Sequence, residues 1–164
     1  MATKVAKNPR LVMATLPMSK RLMRAADTQT WKAGQWANNS ASGLVVVCAT
    51  DDDEATGGGI KYVLLEDQDT STSSSDVWVG DITSGMVFEI NELDGAVTNS
   101  SIGDSFAINV TSNIVTFDVS DTTDEAVVLM RIAADYEPEK NASGDTLALC
   151  HVRVRQDVMD AANA

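Results

Sequence analysis

Groups that do chemistry are scarce in this chain. Among 164 residues there is one histidine, His151, and two cysteines, Cys48 and Cys150. Two cysteines make no disulfide framework, so free, buried thiols are expected. Two thiols and one imidazole also lack the number and spacing of a zinc cage. Cys150 and His151 are adjacent, but neighbours on a strand point to opposite faces, so they cannot meet as nucleophile and base. No apolar run reaches the length of a membrane span. Pro9, Pro17 and the basic residues around them interrupt the N-terminus, which leaves no uninterrupted apolar core of the kind that directs secretion. Gly57-Gly58-Gly59 is followed by no Lys-Ser/Thr pair and leads into a strand rather than a helix, so it reads as a turn and not a phosphate cradle. The acidic runs at residues 51–54 and 67–69 lack the ligand and glycine pattern of a calcium loop and read as solvated. The expectation is a protein that is not an enzyme, with no catalytic residues, no metal and no cofactor.

Basic residues are also scarce beyond the first fifth of the chain. Lys4, Lys7, Arg10, Lys20, Arg21, Arg24 and Lys32 are seven of the twelve, and this segment holds one acid, Asp27. The other 23 acids face only Lys61, Arg131, Lys140, Arg153 and Arg155, giving a net charge of −12. A basic arm is thus attached to an acidic body. The body's own charge repels phosphate, which argues against direct nucleic-acid binding. Within the arm, Met18, Leu22, Met23 and Ala26 recur at roughly helical spacing after Pro17 and Ser19. This predicts one short amphipathic helix, too short to be stable alone and with too small an apolar face for a membrane surface.

What is abundant is strand character. Val, Ala, Leu and Ile dominate the apolar set, and branched residues favour strands. Residues 60–65 form an apolar run that starts at the glycine turn and stops at Glu66-Asp67, as a buried strand does. Met86, Phe88 and Ile90 alternate with Val87, Glu89 and Asn91. Phe106, Ile108 and Val110 are followed by a tight turn at Ser112-Asn113 and a return through Val115, Phe117 and Val119. Asp94-Gly95 is a strong hairpin signal. Residues 126–134 are almost wholly apolar and predict a strand covered on both faces. Ala148, Cys150, Val152 and Val154 form one face of a last strand, which either closes a barrel, the favoured outcome, or adds to a neighbour's sheet. Of Trp31 and Trp36, at least one is expected in the core, with partner contact open to the other.

The fold expected is mainly β: a small β-barrel or β-tulip-like domain with an extended basic N-terminal arm containing one short helix. Its parts would be the arm at residues 1–30, a β-barrel body at 31–135, and a C-terminal loop and strand at 136–164.

The order of several phrases adds a resemblance. Lys32-Ala33-Gly34-Gln35 comes first, then the glycine turn into Ile60-Lys61-Tyr62-Val63-Leu64-Leu65-Glu66-Asp67. Asp81-Ile82-Thr83-Ser84-Gly85-Met86-Val87-Phe88-Glu89-Ile90 and Ile102-Gly103-Asp104-Ser105-Phe106-Ala107-Ile108 follow. Over residues 31–134 this resembles the capsid decoration proteins of tailed bacteriophages, also called cement or head-stabilising proteins. The strand after residue 146 and the basic segment near Lys20 depart from that pattern. The resemblance implies a structural virion protein, made in the host cytoplasm, that binds the outer capsid surface and clamps major capsid protein subunits, commonly as a homotrimer. Lys4, Lys7, Arg10, Leu11, Lys20, Arg21, Leu22, Arg24, Trp31 and Trp36 are then the candidate capsid- and partner-binding residues. Removal of residues 1–24 is expected to leave a folded body that no longer binds. The alternative is a viral fibre or receptor-binding adhesin module with its Ser/Thr-rich acidic loops turned to a receptor.

Overall fold

The computed structural model describes residues 6–50, 59–72, 75–93, 97–132 and 147–161. Lys4, Gly57, Gly58, the acidic run at 51–54 and the Asp94-Gly95 turn lie outside these residues, as does the whole segment 133–146. The strands are β1 (Arg10–Met13), β2 (Lys20–Arg24), β3 (Trp36–Asn39), β4 (Val45–Val47), β5 (Tyr62–Leu64) and β6 (Asp76–Asp81). They continue with β7 (Val87–Leu93), β8 (Ser105–Thr111), β9 (Ile114–Asp118), β10 (Val127–Ile132) and β11 (Leu149–Val154), before a short helix α1 (Gln156–Ala161). The protein is mainly β.

Five strands close into a barrel in the order β7-β11-β10-β8-β9, because β9 returns parallel to β7 at Glu92↔Phe117 and Leu93↔Asp118. The alternation seen in the sequence sets the inside of this ring. Met86, Phe88 and Ile90, then Phe106 and Ile108, Val115 and Phe117, and Ala148, Cys150, Val152 and Val154 share one core. The turn between β8 and β9 has Ser112 at φ 53° and Asn113 at φ 64°, the left-handed pair that a two-residue hairpin requires. The last strand therefore closes the barrel of its own chain. β10 departs from its expected burial on both faces: Val127, Leu129 and Ile132 point inward, but Met130 and Arg131 are exposed. Its pairing with β11 shifts register between Leu129 and Arg131, and the irregularity turns Met130 out.

A second sheet runs β2-β6-β5-β3-β4, and a parallel bridge between Ala25 and Val45 links its two outer strands. β5 is its middle strand and is buried on both faces. Tyr62 and Leu64 join Trp31, Ala37, Val77 and Val79 in a second apolar cluster, whereas Val63 points into the barrel's core with Phe88. This double burial explains an apolar run without alternation at residues 60–65.

The helix expected in the arm does not form; residues 20–24 are a strand, and the one α-helix among the described residues is α1 near the C-terminus. The spacing of Met18, Leu22 and Met23 admits either period. Two helical turns have no stability of their own, whereas the open edge of β6 offers a row of backbone partners. The arm is also not separate from the body. β1 pairs with β7 and β2 with β6, and β11 sits between β7 and β10, so the three expected segments are interleaved. Both Trp31 and Trp36 are buried, so the core role expected for at least one holds for both, and their assignment as partner-binding residues is corrected.

Candidate partner-binding surface

The N-terminal segment lies across the molecule as a strap from β1 on the barrel to β2 on the second sheet. β1 takes the edge of β7 opposite β11, nearer the start of β7 than the stretch held by β9. The strap sits close because two glycines let it. A Cβ at Gly80 would overlap Met18 Sδ, and one at Gly85 would overlap Thr15 Oγ1. The Asp81 N–H donates to Ser19 O at 2.9 Å where β2 begins.

Half of the strap faces inward. Leu11 and Met18 pack on the barrel core and Met23 on the second cluster. Arg21 Nη2 donates to Asp81 Oδ1 at 2.7 Å and to Tyr62 Oη at 3.2 Å, with the guanidinium 5.1 Å from the Tyr62 ring centroid. Arg10 Nη2 donates to Glu89 Oε1 at 2.5 Å. These candidates fasten the strap.

The other half faces out. Met13 is 62% exposed and Leu16 72%, on the crossing segment. Leu22 stands opposite Trp78 across β2 and β6, at 50% and 48% exposure. Lys20 and Arg24 are exposed on the same face as Leu22 by the strand's two-residue period. Lys7 is exposed too, its backbone N–H donating to Asn91 Oδ1 at 3.0 Å. Of the sequence candidates, Lys7, Lys20, Leu22 and Arg24 share the outer surface, Arg10, Leu11 and Arg21 serve as anchors, and the tryptophans are core. Trp78, Met13 and Leu16 were missed. The signal for Trp78 was its place between Val77 and Val79, since two buried valines on one face put the residue between them on the other.

A row of charges runs across the strands behind the strap. The register aligns Arg10, Glu89, His151 and Arg131 on β1, β7, β11 and β10. His151 Nε2 is 3.7 Å from Glu89 Oε2. Burial lowers the imidazole's pKa below its ordinary 6.5; Glu89 opposes this, and Arg131 and Arg10 add to it. A base with a lowered folded value binds fewer protons folded than unfolded. Its contribution to stability is therefore intact above its ordinary value and lost as pH falls through the lowered one. Thermal melts from about pH 7.5 to about pH 5 are expected to show a smaller loss of stability in His151→Gln, which stays neutral, than in the parent; parallel curves would count against this.

Cys150 lies on the opposite face from His151, inside the barrel. Burial, and secondly the charge of Glu92, push its thiol up to about 12, so it is protonated at neutral pH and is no nucleophile there. Asp67 is held below the usual carboxylate range by the Ala33 N–H at 2.8 Å and by Lys32 Nζ at 3.3 Å, and so ties its loop to the turn before β3. A shallow cleft beside α1 holds Arg155, but Glu125 and Asp157 already pair with it. Among the described residues no group of three or more His, Cys, Asp or Glu is arranged to hold a metal ion, and no helix is long and apolar enough to cross a membrane.

Neither protein-family models nor curated proteins match this chain.

Proposed function

We propose that this protein is a non-enzymatic structural component of a phage virion. It binds the outer surface of an assembled capsid, stabilises contacts between major capsid protein subunits, and associates with itself as a trimer. The observation that carries the reading is the strap: basic residues and the exposed apolar side chains Met13 and Leu16 lie together on a chain whose remainder is strongly acidic. Large exposed apolar groups rimmed by charge mark protein contact surfaces. The order of sequence phrases resembling that of capsid decoration proteins and the mainly β fold support the same reading. Each contact is small, and linking several through one oligomer makes weak docking tight by effective concentration.

Met13→Asp combined with Leu16→Asp tests this, because both side chains are exposed and their loss spares the fold. The double variant is expected to keep its melting temperature and to lose at least about tenfold in co-sedimentation with shells that lack the protein. Equal co-sedimentation of variant and parent, or a parent that ignores shells, refutes the reading.

A further inference from the structure

The barrel closes without β1. Its ring is complete in five strands, and the buried members of both cores all come from outside residues 6–24. β1 itself adds only Leu11, which is partly buried. Its ladder to β7 has three register pairs and an irregularity between Leu11 and Met13, whereas β2 holds β6 by five pairs in unbroken succession. At its start the Lys7 N–H donates to Asn91 Oδ1, Asn8 Nδ2 donates to Asn113 O at 2.9 Å, and the Val115 N–H donates to Asn8 Oδ1 at 3.0 Å. None of these bonds involves a group that titrates near neutral pH. The group that does lies behind Arg10. Glu89, nearly buried, has Arg10 Nη2 at 2.5 Å from Oε1 and His151 Nε2 at 3.7 Å from Oε2. Around the imidazole on this face stand Glu89 from β7, Arg131 from β10, Arg10 from β1 beyond Glu89, and Arg153 two residues along its own strand. Glu89 is the one acid among them.

We propose that β1 is an acid-sensitive latch: protonation of His151 gives Glu89 a second cation, and β1 with Arg10 then parts from β7 while the barrel stays closed and β2 stays docked. With a neutral imidazole, release would strip a nearly buried carboxylate of its guanidinium, which is costly, so the latch is shut. With a charged imidazole, Glu89 keeps a cation when Arg10 leaves. The same coupling read from the proton's side has a definite sign. While β1 is docked, burial, Arg131 and Arg10 disfavour the charged imidazole and Glu89 favours it. Release removes the charge of Arg10 and ends its share in Glu89, so the released form binds the proton more readily, and acid favours release. Arg131 stays in place and acts on both forms alike. The switch goes beyond the reading above; on that reading it loosens the surface that carries Met13 and Leu16.

Hydrogen exchange of the full chain tests this without shells, read as protection factors so that the intrinsic pH dependence of exchange cancels. Between about pH 7.5 and about pH 5.5, above the range where carboxylates ordinarily titrate, protection of the Arg10–Met13 amides is expected to fall at least about fivefold more than that of the β8–β9 hairpin. The amides of Lys20–Arg24 are expected to follow the hairpin. In His151→Gln, whose side chain stays neutral, the extra fall disappears. In Arg131→Gln, at an exposed position, it persists but begins at higher pH, because a cation that disfavours the imidazolium in both forms has gone. An equal fall in β1 and the hairpin, a fall that survives in His151→Gln, or no fall at all overturns the proposal. Should His151→Gln lose its cooperative melt, the pH profile of Arg131→Gln decides: a profile that coincides with the parent's overturns the proposal, and one displaced to higher pH supports it.

Discussion

Removing residues 1–24 is expected to unfold the chain rather than trim it. The cut takes β1 from the edge of β7 and β2 from the edge of β6, where five register pairs from Lys20↔Gly80 to Arg24↔Asp76 are lost. It uncovers the core beneath Leu11, Met18 and Met23. Partly buried apolar side chains contribute roughly 1–2 kcal/mol each, and freed backbone groups on β6 and β7 add to that loss. A total of about 5 kcal/mol or more is set against a typical domain stability of about 5–15 kcal/mol. Glu89 also loses its ion pair with Arg10 at a position only slightly open to solvent. In thermal melts followed by circular dichroism, the truncated protein is expected to show either no cooperative transition or a midpoint lowered by about 10 °C or more. A truncated chain that melts like the parent would mean the strap is an appendage, as the sequence suggested.

The second large effect belongs to Trp36. It sits on β3 of the second sheet, fully buried, and meets Phe88 on β7 of the barrel edge to face, with ring centroids 5.4 Å apart and planes at 77°. One side chain thus joins the two sheets. Trp36→Ala removes a large buried ring at a site walled by two separate sheets that cannot both collapse into the space, so the cost is about 3–5 kcal/mol. For a chain of this size that lowers the melting midpoint by about 6–20 °C. Replacing Phe88 by Leu in the same background is expected to show coupling of about 0.5–1.5 kcal/mol, the part of the pair that depends on both rings. Strict additivity, or a midpoint within a few degrees of the parent, would show that the sheets are held together elsewhere.

Where burial is strictly one-sided, the local pattern carried the fold. The alternation of Met86, Phe88 and Ile90, of Phe106 and Ile108, and of Ala148, Cys150, Val152 and Val154 reports an inside and an outside, and each set does line the barrel core. The Ser112-Asn113 turn was legible because both residues tolerate the left-handed conformation they adopt. Residues 18–26 were not legible. Their apolar positions fit two periods, and the choice depended on the edge of β6, which enters some fifty residues later. A core place for at least one of Trp31 and Trp36 was expected, but that both are buried is decided by packing, Trp31 against Tyr62 and Leu64 and Trp36 against Phe88. The candidate surface was half legible for the same reason. Lys20, Leu22 and Arg24 stand out by composition, but Trp78 becomes their neighbour only through the pairing of β2 with β6.

The sequence by itself determined the strand-rich class, the positions of most barrel strands, the placement of Cys150 and His151 on opposite faces, and the split between basic start and acidic remainder. These are properties of a residue and its near neighbours, set by side-chain period, branching and charge. Tertiary structure alone decided that the basic start is woven into both sheets, that its helix-like spacing becomes a strand, and which of its side chains face out. Those outcomes depend on which backbone edges are left unpaired after the rest has folded, a property that no window of the sequence contains.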